Sequence, residues 1–246
     1  MISVCMPSFN GEKYIRKQLE SILSQLGEYD EVIVSDDSST DNTIQIIASF
    51  NDPRIRLFEK NRFKSPVFNL QNALKHARGE FIFLSDQDDI WDGNKVHVLM
   101  ALLADHDLVL SNCRLINGRD EIIQPDYFKY YFRKGRPEIN FLHNLYKNPF
   151  LGCSMAFHRR VLDVALPFPE RIAMHDIWIG LLASRAFKVR FTESPLFSWR
   201  RHENNVTFAI TKSDDRLSEF SLFQKLNYRA YILWHLFLRL VLKKNP

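Results

Sequence analysis

Glycine is scarce in this chain, with 8 residues in 246. None of the eight falls in a G-x-G-x-x-G or G-x-x-x-x-G-K-[ST] pattern. The sequence therefore argues against a phosphate cradled by a glycine-rich backbone loop. Cysteine is scarcer still. Cys5, Cys113 and Cys153 have no close metal-type spacing, and so sparse and odd a count fits a reducing compartment rather than a disulfide scaffold or a zinc site. No run of ~20 uncharged apolar residues exists, which excludes a conventional membrane-spanning helix. Met1–Met6 carries no basic leader before its apolar run, so a secretory signal is not expected. Internal repeats and low-complexity linkers are also missing. At ~100–200 residues per domain, the expectation is one compact unit with two lobes. A composition of 46% hydrophobic and 25% charged residues supports a packed core.

The net charge of +4 is unevenly placed. From residue 216 onward stand Arg216, Lys225, Arg229, Arg239, Lys243 and Lys244 against the single acid Glu219. That tail carries +5 and the remainder −1. The basic balance therefore belongs to a tail and does not describe a nucleic-acid-binding body.

Short apolar runs alternate with amphipathic stretches over the first 110 residues. Ile2–Met6, Glu31–Ser35, Arg54–Phe58, Glu80–Leu84 and Leu108–Ser111 read as strands. Glu12–Leu26, Asp41–Phe50, Val67–Ala77 and Lys95–Ala104 read as helices, with Thr40 or Asp41 placed to cap the second. This alternation implies a parallel sheet with helices on both faces. Beyond it the pattern is less regular. Residues 113–150 read as loops with one short helix, Cys153–Phe157 as a strand, Asp176–Ala186 as a helix, and Val189–Thr192 and Leu196–Arg200 as two short strands.

In open α/β sheets ligands bind beyond the carboxyl ends of the strands, where the strand order switches. Three polar clusters follow predicted strands: Ser8-Phe9-Asn10, Asp36-Asp37-Ser38-Ser39-Thr40-Asp41 and Asp86-Gln87-Asp88-Asp89. Any one of them has an ordinary reading as a turn or cap. Three at one sheet edge point to a site. Carboxylates repel phosphates unless a hard divalent cation stands between them, so a diphosphate ligand with bridging Mg²⁺ or Mn²⁺ is the simplest account.

Met6-Pro7-Ser8-Phe9-Asn10, the Asp36–Asp41 segment and Phe83-Leu84-Ser85-Asp86-Gln87-Asp88-Asp89-Ile90-Trp91 together resemble glycosyltransferase family 2. Gly152–Phe157, His175-Asp176-Ile177-Trp178 and Trp199-Arg200-Arg201-His202-Glu203-Asn204-Asn205-Val206 resemble its rhamnosyltransferase-like subgroup. The resemblance covers roughly residues 1–207. It implies a GT-A fold: an α/β, Rossmann-like and mostly parallel sheet flanked by helices. Residues 1–112 would form a nucleotide-sugar half, 113–210 an acceptor half and 211–246 an amphipathic basic tail. It implies that Pro7, Ser8 and Phe9 line the nucleotide pocket, Asp37 accepts from the base and Asp36 supports that loop. Asp86 would lie near the ribose and diphosphate, and Asp88 would be the principal ligand of Mn²⁺ or Mg²⁺, approached by His202. Arg200 and Arg201 would neutralise the leaving group, and Asp176 would be the catalytic base of an inverting displacement.

The chain departs from the family pattern at Ser38, where glycine is usual, and at His175, where an acid is common. The second change removes a negative neighbour and would lower the pKa of Asp176. Simpler readings stand beside these roles: Asp176 as a helix N-terminal carboxylate, His175 and His202 as structural residues, Trp91 and Trp178 as core. The aromatic residues of 125–150 suit either sugar stacking or packing between lobes.

From Tyr228 to Lys244 an amphipathic helix is expected, with Lys225, Arg229, His235, Arg239 and Lys243 within about a 120° arc. It suits an anionic membrane interface, or packing on protein. The expected activity is transfer of a sugar from a UDP- or dTDP-linked donor to a glycan or lipid-linked glycan in cell-surface polysaccharide synthesis. The expected place is the cytoplasmic face of a membrane. A nucleotidyltransferase and a non-catalytic membrane-bound adaptor remain as alternatives.

Overall fold

The computed structural model describes residues 1–132, 134–138, 140–146, 148–202 and 222–241. Glu203–Val206 of the last motif, and Arg216, Lys243 and Lys244 of the basic tail, lie outside them, as does the side chain of Lys225.

The strands are β1 (Ile2–Ser8), β2 (Glu31–Asp36), β3 (Ile55–Phe58), β4 (Phe81–Leu84), β5 (Ile90–Trp91), β6 (Leu108–Ile116), β7 (Ile122–Gln124), β8 (Met155–His158) and β9 (Val189–Arg200). The helices are α1 (Ile15–Leu23), α2 (Thr43–Ala48), α3 (Pro66–His76), α4 (Lys95–Leu103), α5 (Tyr127–Tyr131), α6 (Phe141–Tyr146), α7 (Arg159–Ala165), α8 (His175–Ala186) and α9 (Leu222–Val241). One sheet runs β3-β2-β1-β4-β8-β6-β9-β5, with β7 paired to β6. β1, β2, β3 and β4 are mutually parallel, and so are β6 and β9. β8 lies antiparallel between β4 and β6, and β5 antiparallel on β9.

Side chains alternate between the two faces, as the pleat requires. Val4 and Met6 of β1, with Val32 and Val34 of β2, meet α1 residues Ile15, Leu19 and Ile22 on one face. Cys5, Ile33, Ile82 and Leu84 turn to the other face, against α3, α7 and α8. The three thiols are free and buried.

The structure corrects several local expectations. β9 is one strand of twelve residues, not two short ones. Its register against β6 shifts between Ser111 and Asn112, opposite Pro195. Proline has no amide to give the ladder and is tolerated at such an irregularity. Residues 113–150 hold β7, α5 and α6 rather than a single short helix. The 3₁₀ turn Gly152–Ser154 takes the start of the expected Cys153 strand, and α7 was not anticipated. Asp41 caps α2 from one position early: its Oδ1 accepts from the Thr43 amide and hydroxyl at 3.0 and 2.5 Å.

α9 docks on the domain. Ile232 and Leu236 are buried, and the helix packs on α7 and α8. Arg239 of the expected basic arc donates to the carbonyls of Leu166 and Pro167. Arg239 therefore lies on the docked side, and part of the apolar face turns outward. Among the described residues no helix is long and apolar enough to cross a membrane.

Candidate active site

The strand order reverses at β1, which has β2 on one side and β4 on the other. The three polar clusters sit beyond the carboxyl ends of these strands, at the switch point where such sheets bind ligands.

The first two clusters are joined by reciprocal bonds between side chains and backbone. The Asn10 amide donates to Ser39 Oγ at 2.8 Å, and the Thr40 amide to Asn10 Oδ1 at 2.8 Å. Asp36 is wholly buried and holds them together. It accepts from Ser8 Oγ at 2.8 Å, the Ser39 amide at 2.7 Å and Ser39 Oγ at 2.6 Å. Asp37 is half-buried and takes the Phe63 amide at 2.6 Å. Pro7 is half-buried, while Phe9 is 55% exposed above the edge. Ser38 has φ 63°, so the turn keeps the left-handed backbone that glycine favours. Its hydroxyl donates to the Asn61 carbonyl at 2.5 Å, which holds the turn without glycine.

Gln87 ties this region to the third cluster. Its Oε1 accepts from the Phe9 amide at 3.0 Å, and its Nε2 donates to the Phe9 carbonyl at 2.9 Å. A side chain on Gly11 would collide with the Gln87 amide. From beneath, buried Gln18 of α1 donates to Ser85 Oγ at 2.6 Å and to the Asp86 carbonyl at 3.1 Å. Neither glutamine stands out in the sequence. Gln87 lies inside the acidic motif, and only its doubled bond to Phe9 gives it a role.

The third cluster has the opposite electrostatics to the first two. Burial, then the Asp88 charge, pushes Asp86 up to about 7. Burial and the charges of Asp88 and Asp86 hold Asp89 well above the usual carboxylate range. Asp89 Oδ1 accepts from the Arg200 amide at 3.0 Å, whereas its buried Oδ2 receives no hydrogen bond. Beneath the turn is a fully buried lysine. Lys95 donates to the Cys153 carbonyl at 2.8 Å, with its ammonium 4.2 Å from the Trp91 ring centre and 4.3 Å from that of Phe197. Burial pulls its pKa down to about 8.

Arg200 lies wholly inside the protein. It donates to the Asp88 carbonyl at 2.7 Å, the Asn117 carbonyl at 3.0 Å and the Asp120 carboxylate, and stacks 4.4 Å over Tyr14. It thereby fastens β9 to the acidic turn. Arg201 sets its guanidinium 4.7 Å over the Trp199 ring. His202 Nε2 is 2.9 Å from Asp88 Oδ2.

Asp176 opens α8 and is 7% exposed. Its Oδ1 accepts from the Ile177 amide at 2.6 Å. Burial, opposed by the Ile177 and Gly152 amides and reinforced by the Asp86 charge, pushes it up to about 7. The lowering expected from the His175 exchange is thus outweighed. His175 is itself buried, with a pKa drawn down to about 4 by burial, so it is neutral and adds no charge of either sign. Trp178 and Trp91 are core residues; the Trp178 indole donates to the Ala165 carbonyl at 2.9 Å.

Mn²⁺ and Mg²⁺ prefer oxygen donors, and cis ligands at bonds of ~2.1 Å stand about 3 Å apart. The Asp88–His202 pair has that spacing, and Asp86 and Asp89 share its turn. Asp86, Asp89 and Cys153 form a second grouping, with donor atoms within 4.8 Å. Its thiol is held protonated by burial and by the neighbouring carboxylates, and Lys95 stands against it. A hard cation therefore suits the Asp88–His202 side better.

Known proteins match this arrangement. The model of glycosyl transferase family 2 matches residues 3–165. The Escherichia coli enzyme WfgD, a UDP-Glc:alpha-D-GlcNAc-diphosphoundecaprenol beta-1,3-glucosyltransferase, is 30% identical over 184 residues, 74% of this chain and 70% of its own. Staphylococcus aureus TarS 1–349 in complex with UDP-GlcNAc superposes with TM-score 0.66 at 22% identity, over 96% of this chain and 72% of its own. The Pyrobaculum calidifontis mannosyltransferase PcManGT, in complex with GDP-Man and Mn²⁺, gives 0.64 at 19% identity, over 96% and 71%. These matches set aside the nucleotidyltransferase and adaptor alternatives. With the switch-point site, the motif order and the matched span in agreement, the chain belongs to glycosyl transferase family 2 and is a glycosyltransferase of the GT-A fold.

Proposed function

We propose that this enzyme inverts the anomeric centre of a UDP- or dTDP-linked sugar and joins it to a hydroxyl of a lipid-linked glycan. The product would enter a cell-surface polysaccharide. The work would take place by peripheral contact on the cytoplasmic face of a membrane. The observation that carries the reading is the meeting of two kinds of carboxylate at one sheet edge. Asp86, Asp88 and Asp89 form one acidic turn in which burial raises Asp86 and Asp89, and Asp176 lies within reach of its field with a pKa of about 7.

In this reading residues 1–112 bind the donor and 113–210 shape the acceptor side. Pro7, Ser8 and Phe9 line the base and ribose, and Asp37 accepts from the base. Asp36 acts from beneath by fixing both loops. Asp86 faces the ribose and diphosphate. Asp88 and His202 hold Mn²⁺ or Mg²⁺, which when bound neutralises the charge of the departing diphosphate. Arg201 adds positive charge at the rim, and Arg200 holds the acidic turn in place. Asp176 takes the proton from the acceptor hydroxyl as that oxygen attacks the anomeric carbon. A base near pH 7 is ionised often enough to act and basic enough to hold the proton. One displacement with one base inverts the centre.

The test begins with thermal stability against nucleoside diphosphates and nucleotide sugars, with Mn²⁺, with Mg²⁺ and with excess chelator. At ~100 Kd a bound ligand adds ~2.7 kcal/mol. A shift for uridine or thymidine diphosphates that the chelator abolishes is expected. Transfer to a lipid-linked acceptor then follows, with Asp176→Asn as control. Absence of any nucleotide shift on folded protein sinks the reading.

A further inference from the structure

Lys95 is fully buried at the first position of α4, beneath the acidic turn. Nothing about that place favours a lysine. The positive end of the helix dipole opposes its charge, and taking an ammonium out of water is costly. Its surroundings are apolar, with the Trp91 and Phe197 ring centres 4.2 and 4.3 Å from Nζ. A methionine would fill the same space without a charge. What a methionine cannot do is donate. Among the described residues the ammonium makes one hydrogen bond, to the Cys153 carbonyl at 2.8 Å.

Cys153 lies in the middle of the 3₁₀ turn Gly152–Ser154, and that turn meets both groups of carboxylates. On one side the Cys153 thiol stands with Asp86 and Asp89, their donor atoms within 4.8 Å of one another. On the other, the Gly152 amide favours the ionised form of Asp176. The turn is also pressed against the first residue of α8: a Cβ on Gly152 would stand 2.4 Å from His175 Nε2. The Leu151 carbonyl closes the turn, accepting from the Ser154 amide at 3.0 Å and from Ser154 Oγ at 2.6 Å. Lys95 fixes its middle from beneath.

We propose that Lys95 is a positioning residue for sugar transfer: by gripping the Cys153 carbonyl it fixes the Gly152–Ser154 turn between the acidic turn and α8, and so holds Asp176 at its distance from the donor. The proposal rests on the reading of Asp176 as the base. Such a wedge matters because base and donor are carried by different parts of the chain, Asp176 on α8 and the acidic turn after β4. An error of ~1 Å in their separation is enough to lower the rate ~10²-fold. A buried ammonium suits the task. Its charge-assisted bond is strong, and burial keeps solvent from competing for it.

The test uses the full chain with Lys95→Met, which keeps the length and bulk of the side chain and removes the donor. The variant should fold, melt within about 4 °C of the parent, and show the same thermal shift with nucleoside diphosphate and Mn²⁺. Donor KM should change little while kcat falls ~10²-fold. In a double-mutant cycle, adding Lys95→Met to Asp176→Asn should lower kcat no further, because Lys95 acts through the base. Lys95→Leu is the second apolar variant should the methionine one fail to fold. Unchanged kcat in Lys95→Met, with Asp176→Asn impaired, overturns the proposal and leaves the transfer reading standing. An equal further loss in the Asp176→Asn background overturns it. So does a change confined to donor KM or to the Mn²⁺ requirement, which would place the effect of the cation on the acidic turn. Loss of the fold in both variants makes Lys95 structural and overturns it too. If Asp176→Asn itself retains full kcat, the assignment of the base fails first and the proposal falls with it.

Discussion

Two acidic clusters stand at the same sheet edge and behave in opposite ways. Asp36 is fully buried, yet three donors from Ser8 and Ser39 surround its carboxylate. Asp89 is equally buried but receives one backbone amide, and its second oxygen receives nothing. Asp86 and Asp176 resemble it in electrostatics, each raised to about 7 chiefly by burial, with a charged neighbour adding to it. A carboxylate whose hydrogen bonds are complete is part of the scaffold. One buried without a neutralising partner is held in readiness for a cation or a proton.

The sharpest way to test that contrast is Asp176→Asn. General-base removal should lower kcat ~10²–10⁴-fold with little change in nucleotide binding. If Asp176 is the base as proposed, kcat/KM of the parent enzyme should fall as pH drops through about 7, because the carboxylate takes a proton only when ionised. Next in size is Asp36→Ala, which strands the donors of Ser8 and Ser39. It should cost about 3 kcal/mol of stability, read by chemical denaturation. Loss of turnover without loss of stability in this variant would break the comparison.

Asp86→Asn tests the other side. Its folded pKa lies above the unfolded value, so its contribution to stability is complete below about pH 4 and is lost as pH rises through about 7. The metal-free variant should therefore melt higher than the parent at pH 8 by ~2–4 °C. The difference should vanish at pH 4, and activity should fall at any pH. Smallest is Gln87→Ala, which frees the Phe9 backbone. A rise of up to ~10-fold in donor KM, about 1.4 kcal/mol, is expected with kcat little changed.

Much of this was legible in the sequence. The first half alternates cleanly because each strand and helix carries its own periodicity, and the three polar clusters follow from where those strands end. Other features depend on partners that arrive from far along the chain. Ile90–Trp91 is a strand only because β9 lies beside it. Lys95 reads as a surface helix residue until Cys153 and Phe197 close over it. Arg200 reads as a free cation until Asp88, Asn117 and Asp120 surround it. Residues Glu193-Ser194-Pro195 interrupt the apolar run of β9, and only the register shift on β6 shows that the strand continues.

The position of β8 bears on how the protein is made. It pairs with both β4 and β6, yet some forty residues of chain lie between β6 and β8. A nascent chain that has emerged only through β6 has four parallel strands in hand and open edges, with β4 still waiting for β8 and β6 waiting for both β8 and β9. Until residues 155–158 leave the ribosome those edges are open to pairing with other chains, so this is the interval in which a chaperone would matter most. The sheet closes late, and the seam of its closure runs beside the acidic turn.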